Sequence, residues 1–279
     1  MRVTITGASG LIGTKLAAAL TQRGDEVTKL SLRKGPPDPA ALAGRDAIVH
    51  LAGEPVAQRW NDATRKAILE SREQGTRQLV QAIAQADPKP KALISSSAVG
   101  YYGPHGDELL DEDTPPGDDF LAEVCVVWER EANRAEGLRV VTVRTGVVLD
   151  KDGGALSKML LPFKLGGGGP VAGGEQYMPW IHVDDVVGIY LAAIDNDWHG
   201  PVNATAPEPV TNRTFSKALG RALHRPAVAP IPGAAIRLLY GDMAEIVTKG
   251  QRVLPKRTLE YGYVYKHPDL DEALRAAVA

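Results

Sequence analysis

Thr6-Gly7-Ala8-Ser9-Gly10-Leu11-Ile12-Gly13 directly follows the strand-like run Arg2 to Thr6 and opens a helix-period segment, Leu11 to Arg23, that closes at Gly24. The spacing of Gly7, Gly10 and Gly13 gives each glycine a task. One makes the tight turn, one lets a pyrophosphate approach the backbone, and one lets the helix pack close to the strand. Phosphates would rest at the helix N-terminus, where unpaired N–H groups and the helix dipole favour negative charge. Glycines also gather in ordinary turns. Here the strand before and the helix after select the dinucleotide reading.

Outward from this loop, β-branched runs alternate with helical patterns. Glu26 to Leu32, Asp46 to Leu51, Ala92 to Ser96 and Arg139 to Leu149 read as strands; Asp62 to Gln85 and Phe120 to Glu136 read as helices. Repeated β-α units with right-handed crossovers predict an α/β fold, a doubly wound parallel sheet covered on both faces. After Val148, the clusters Asp152-Gly153-Gly154, Gly166 to Pro170 and Gly173-Gly174 predict a loop-rich stretch. A helix from near Asp185, a strand near Val202 and a helix after Thr211 follow, then helices at Ala234 to Val247 and Pro268 to Val278. The expected division is a nucleotide-binding domain, 1–152 plus 182–205, and a small, mostly helical domain, 153–181 plus 206–279.

The composition narrows the classes. Among 279 residues, 32 Lys+Arg against 34 Asp+Glu give a net charge of −2, so no basic field recruits nucleic acid or an anionic membrane. The single cysteine, Cys125, forms no intrachain disulfide, and the expected compartment is the cytoplasm. The longest apolar run, Val186 to Ile194 with Gly188 inside it, falls far short of the roughly 20 residues that span a bilayer. No reading of oligomeric state follows.

The tip of the second strand selects the dinucleotide. A site for NAD wants a carboxylate about 20 residues past the glycines to hold the ribose hydroxyls. This chain offers Ser31, Leu32, Arg33 and Lys34 there. A guanidinium binds a 2′-phosphate in bidentate fashion and a serine donates to it, whereas a carboxylate would repel it. The expected cofactor is NADP(H), with Arg33 as the main contact; the alternative is a solvated basic turn.

With the glycine loop, His50-Leu51-Ala52-Gly53 and Ser95-Ser96-Ser97-Ala98, the chain resembles the atypical extended short-chain dehydrogenase/reductases, the group that includes sugar-nucleotide epimerases. Ser97 to Gly103, Phe120 to Cys125 with Trp128-Glu129, Met178 to Asp185, and Gly250 to Arg257 are similar to a bacterial epimerase-like family within it. The resemblance implies a Rossmann-type fold, NADP(H) binding and a small substrate domain. Carried over position by position, it implies cofactor contacts at Gly7, Ser9, Gly10, Leu11, Ile12, Gly13, Ser31, Arg33, Leu51, Ala52 and Gly53. Extended members carry an Asn three residues before a Gly-Thr pair. Here Arg72 precedes Gly75-Thr76 at that spacing, so an arginine is expected to reach the cofactor. Val148, at the end of the sixth strand, would flank the nicotinamide.

The family's chemistry is altered. Short-chain dehydrogenases use a tyrosine whose phenol is acidified by a lysine one helical turn on. No Tyr-x-x-x-Lys occurs in this chain, and the two positions fall on Leu121 and Cys125. Ser97 stands where a substrate-orienting hydroxyl belongs, or caps a turn. Tyr101 and Tyr102 are candidate proton donors; the alternative for Tyr102 is a ring packed beneath the pocket. Met178 and Trp180 read as a substrate wall or as core. His182 reads as a substrate contact or as a histidine that locks a loop ahead of Asp184-Asp185. The overall expectation is an NADP(H)-dependent oxidoreductase or epimerase with a non-standard proton donor, acting on a small, polar, sugar-like substrate. The rival is a non-enzymatic NADPH-binding redox sensor or scaffold.

Overall fold

The computed structural model describes residues 1–279. In chain order its elements begin β1 (Arg2–Thr6), α1 (Leu11–Gln22), β2 (Glu26–Leu30), β3 (Ala47–His50), α2 (Asp62–Gln85), β4 (Ala92–Ala98), β5 (Leu109–Leu110), α3 (Phe120–Ala132), β6 (Arg139–Thr145) and β7 (Val147–Leu149). They continue with α4 (Gly154–Lys164), β8 (Tyr177–Met178), β9 (Trp180–His182), α5 (Val183–Asp195), β10 (Gly200–Ala204), β11 (Val210–Thr211) and α6 (Asn212–Ala222). The chain ends with α7 (Gly233–Tyr240), α8 (Ala244–Thr248), β12 (Arg252–Val253), α9 (Lys256–Glu260) and α10 (Leu270–Val278). Six strands form one parallel sheet in the order β10-β6-β4-β3-β1-β2. The order reverses around β1, the doubly wound arrangement that places ligands at the carboxyl edge of the strands.

Side chains alternate across a strand, and here the two faces differ in kind. Val3, Ile5, Ala47, Val49, Ala92, Ile94, Val141, Val143 and Val202 form an apolar core with Leu16 and Leu20 of α1 and Val186, Ile189 and Tyr190 of α5. Each large aliphatic side chain buried there contributes about 1.5–3 kcal/mol of transfer free energy. On the opposite face, Ile48 and Leu93 pack with Leu79 and Ile83 of α2 and Ala132 of α3. Toward the carboxyl edge that face turns polar: Thr6, His50, Ser95, Ser97, Arg144 and Asn203 are all buried. His50 sits in register with Thr6 and Ser95, and Arg144 with Ser97 and Asn203.

Two contacts hold this polar face. The His50 ring meets the Thr6 hydroxyl at 2.7 Å through Nδ1 and the Thr76 hydroxyl at 2.9 Å through Nε2. Arg144 grips Glu129 of α3 through both carboxylate oxygens, Nε to Oε1 at 2.8 Å and Nη2 to Oε2 at 2.9 Å. With both partners buried, the pair ties β6 to α3.

Beyond the sheet the structure departs from the sequence reading in three places. Arg139 to Leu149 is two strands, because a Cβ at Gly146 would overlap the Pro179 carbonyl. The chain bends there, and β7 leaves the sheet to pair with β9. The expected loop after Gly154 contains α4, whose Leu156 and Phe163 enter a second core with Trp180, Phe215, Leu219 and Leu274. The expected helix Ala234 to Val247 breaks at Gly241, which has a φ of +62°. The tail also returns to the first layer: Tyr261, Tyr263 and Tyr265 pack against the apolar core, and the Thr258 hydroxyl donates to the Asn203 carbonyl at 2.7 Å. No helix is long and apolar enough to cross a membrane.

Breaking one side of a buried ion pair strands the other charge. Glu129→Gln should therefore lower the unfolding free energy by about 3–5 kcal/mol, read by urea denaturation. A loss near zero would remove the pair from its structural role. Burial pushes the His50 imidazole down to about 4 from an ordinary 6.5, so between those values the unfolded chain binds more protons than the folded one. Stability is thus full above about pH 6.5 and falls as pH drops toward 4, by about 1–2 kcal/mol at pH 5. His182, also lowered by burial, adds the same sign. The unfolding free energy measured against pH should flatten in part for His50→Gln, and an unchanged slope would contradict the assignment.

Candidate functional site

The β1–α1 turn is built by exclusion of side chains. Gly7 has a φ of +71°, and a Cβ on it would lie 2.6 Å from the Leu51 carbonyl carbon. A Cβ on Gly13 would lie 2.8 Å from the Ala8 Cα. The helix therefore meets the sheet closely, with the Gly10 N–H bonded to the Gly7 carbonyl at 3.0 Å. Gly10 occupies the N-cap, no side chain caps the helix, and no acidic residue stands in its first turn. The Leu11, Ile12 and Gly13 amides take no acceptor from the chain. Ser9 and Gly10 are exposed beside them. Backbone donors, a positive dipole end and a missing side-chain wall fit a pyrophosphate.

At the tip of β2, the Ser31 hydroxyl accepts from the Arg33 N–H at 3.4 Å and caps a single 3₁₀ turn, Leu32–Lys34. Ser31, Arg33 and Lys34 are exposed. Neither basic side chain forms an ion pair, so both charges remain open to an anion. At the end of β3, Leu51 and Ala52 are half-buried and Gly53 is exposed. Arg72 of α2 lies against Gly53, where a Cβ would sit 3.1 Å from the guanidinium carbon. Val148 is half-buried on β7 opposite Ile181.

The proposed reaction centre is where structure and sequence reading part most. The Ser97 hydroxyl donates to Glu129 Oε1 at 2.7 Å and is 2% exposed. The Tyr102 hydroxyl donates to Asn203 Oδ1 at 2.8 Å and accepts from Arg144 Nη1 at 3.0 Å, with no exposed surface. Burial pushes its phenol well above the ordinary range, although Arg144 acts in the opposite direction. The network runs on through the Asn203 N–H to Glu112 Oε1 at 2.8 Å, with the Arg257 N–H on Oε2 at 3.2 Å. Ser97 and Tyr102 thus both sit in a buried hydrogen-bond network, for Tyr102 the packed alternative. Tyr101 differs. It is half-buried, its ring stacks on the Arg144 guanidinium at 3.5 Å, and its hydroxyl has no partner in the chain. On α3, burial raises the Cys125 thiol to about 12, so it stays neutral.

At the expected substrate wall, Trp180 takes the alternative reading, core. Trp180 is 1% exposed, belongs to the second core and donates to the Glu208 carbonyl at 3.3 Å. Met178 is half-buried and receives the Asn212 amide on its sulfur at 3.2 Å. His182 caps α5 by accepting the Asp184 N–H on Nδ1 at 3.2 Å, the loop-locking role. His182, Asp184 and His267 bring possible metal ligands within 4.8 Å of one another, but the His182 Nδ1 lone pair is already spent on that cap. The site residues that sequence reading missed are Glu129, Arg144, Asn203 and Glu112. One signal was present: a charged Arg144 inside an otherwise β-branched strand.

Comparison with known proteins agrees with this architecture. Residues 3–204 match the family model "NAD dependent epimerase/dehydratase family", and residues 231–277 match a domain of unknown function, DUF1731. The human epimerase family protein SDR39U1 is 42% identical, with all of both chains covered. The Bacillus subtilis epimerase family protein YfhF is 36% identical over all of this chain and 98% of its own. A crystal structure of human SDR39U1 with NADPH superposes at a TM-score of 0.91, with 41% identity over 99% of each chain. A Thermus thermophilus UDP-glucose 4-epimerase in complex with NAD, 21% identical, shares the fold at a TM-score of 0.76, covering all of this chain and 98% of its own. This chain is a member of the NAD-dependent epimerase/dehydratase family.

Proposed function

We propose that the chain binds NADP(H) along the carboxyl edge of its sheet and acts as an oxidoreductase or epimerase on a small, polar, sugar-like substrate in the cytoplasm. The observation that carries this reading is the entrance to α1, where uncapped amides face a turn that Gly7 and Gly13 keep clear of side chains. The basic tip at Ser31 and Arg33, without a carboxylate partner, favours the phosphorylated coenzyme. The NADPH bound in the SDR39U1 crystal supports the same choice.

Bound coenzyme supplies or accepts the hydride. The chain's own part is to position and to move a proton. Of the three hydroxyls considered, Tyr101 alone has an unpartnered oxygen, and the Arg144 guanidinium stacked on its ring fixes the side chain. Tyr101 is therefore the proposed proton donor, while Ser97, Glu129 and Tyr102 hold the floor beneath it. A second reading, a non-enzymatic NADPH sensor or scaffold, draws support from the burial of Ser97 and Tyr102 and from the neutral Cys125 thiol.

Fluorescence titration should show NADPH bound at least about tenfold more tightly than NADH, the scale of one charge-assisted contact. Arg33→Asp should erase or reverse that preference; an unchanged ratio would remove Arg33 from the site. With NADPH and a panel of nucleotide sugars and small carbonyls, Tyr101→Phe should lose about a hundredfold or more in turnover while binding NADPH normally. A wild-type protein that, with NADPH or NADP⁺, neither changes the coenzyme's redox state nor interconverts any of the sugars would favour the sensor.

A further inference from the structure

Among the cations of the run Gly250 to Arg257, one is left without a partner. Lys256 pairs with Asp111 and Asp113, and Arg257 with Asp113. Arg252, half-buried on β12, meets no carboxylate within ion-pair distance. Its guanidinium lies against the Tyr177 ring, 4.9 Å from the centre. Nε is sealed from solvent and donates to nothing, while the two Nη groups are not sealed and find no acceptor in the chain. The carboxylates close to it along the paired segments are engaged elsewhere. Glu108, next to the Leu109 that faces Arg252 in register, meets His105 at 3.1 Å, and Glu175 pairs with Arg213 at 2.6 Å. A charge that has lost part of its water and gained no counter-ion is costly to keep.

The backbone on either side fixes where this charge stands. The Gln251 N–H donates to the Tyr177 carbonyl at 3.4 Å, and the Gln251 side-chain amide donates to the Gly103 carbonyl at 2.7 Å. The Gly250 carbonyl accepts the His105 N–H at 3.3 Å. Val253 enters the small core of Val99, Tyr102 and Leu110, against which Tyr101 packs. Arg252 is thus held between β8 and the turn that carries Tyr101. Stacking on an aromatic face sets the plane of the guanidinium, and the half-buried Tyr177 adds a hydroxyl with no partner in the chain.

We propose that the Nη edge of Arg252, braced on Tyr177, binds an oxyanion carried by the substrate, so that the chain selects a sugar bearing a phosphate or carboxylate group over a neutral one. The proposal rests on the substrate reading of the cleft beside Tyr101 given above and adds to it the charge of the substrate. A planar fork of donors matches two oxygens of either group, which a lone hydroxyl or ammonium does not.

The test uses the full chain, with and without NADPH, and calorimetric titration with inorganic phosphate, glucose 1-phosphate, glucuronate and glucose. Wild type should bind at least one of the two acidic sugars more tightly than glucose. A preference for glucose 1-phosphate, together with binding of inorganic phosphate, identifies a phosphate site; a preference for glucuronate identifies a carboxylate site. Arg252→Gln should weaken the preferred acidic sugar by about ten- to a hundredfold, the scale of hydrogen bonds to a charged group. Arg252→Lys, which keeps the charge and loses the fork, should fall between. Both variants should bind NADPH within about twofold of wild type, which shows that they are folded. Acidic sugars bound no more tightly than glucose, or equally by wild type and Arg252→Gln, overturn the anion site while NADPH binding leaves the coenzyme reading standing. A loss of NADPH affinity equal to the loss of the sugar makes Arg252 a packing residue and overturns the proposal as well. A protein that binds an acidic sugar through Arg252 but no NADPH overturns the coenzyme reading alone.

Discussion

The closeness of α1 to the sheet governs what the molecule can hold. Gly7 and Gly13 permit it because a Cβ at either would strike backbone, of Leu51 in one case and Ala8 in the other. The first amides of any helix lack intrahelical acceptors; at α1 no side chain caps them, and the close approach directs the helix dipole at the carboxyl edge. Everything proposed for the cleft lies along that edge: the β2 tip with Arg33, the β3 end with Gly53, and the β4 turn with Tyr101.

The polar half of the α2–α3 face is held by a network of its own. In this chain Ser97, Tyr102, Arg144, Glu129, Asn203 and Glu112 satisfy one another. A closed network of this kind is strong when every member is paired and costly when one is removed. It therefore fixes the floor of the cleft and holds the Ser97 and Tyr102 hydroxyls in place.

Local patterns carried the elements well. The β-branched runs and the helix Asp62–Gln85 appear where periodicity placed them, because the sheet core needs the alternation that the sequence displays. Helix α4 was obscured by the glycines around it and by Pro162 within it. Yet Leu156, Met159, Leu160 and Phe163 follow helical spacing, and burial of that stripe in the second core outweighs the proline. The fates of Ser97 and Tyr102 could not be read locally. Their partners lie 32 and 101 residues away along the chain, and it takes the β4–β6–β10 register and the packing of α3 on it to bring them together. Trp180 and His182 are buried for a similar reason: the β7–β9 pairing that holds them depends on the bend at Gly146.

A crystal structure of this protein grown with NADPH tests the account most directly. Phosphate oxygens should lie within hydrogen-bond reach of the Leu11 and Ile12 amides, with the 2′-phosphate against the Arg33 guanidinium. A nucleotide lodged elsewhere, or an α1 entrance that stays filled by solvent at saturating coenzyme, would contradict it.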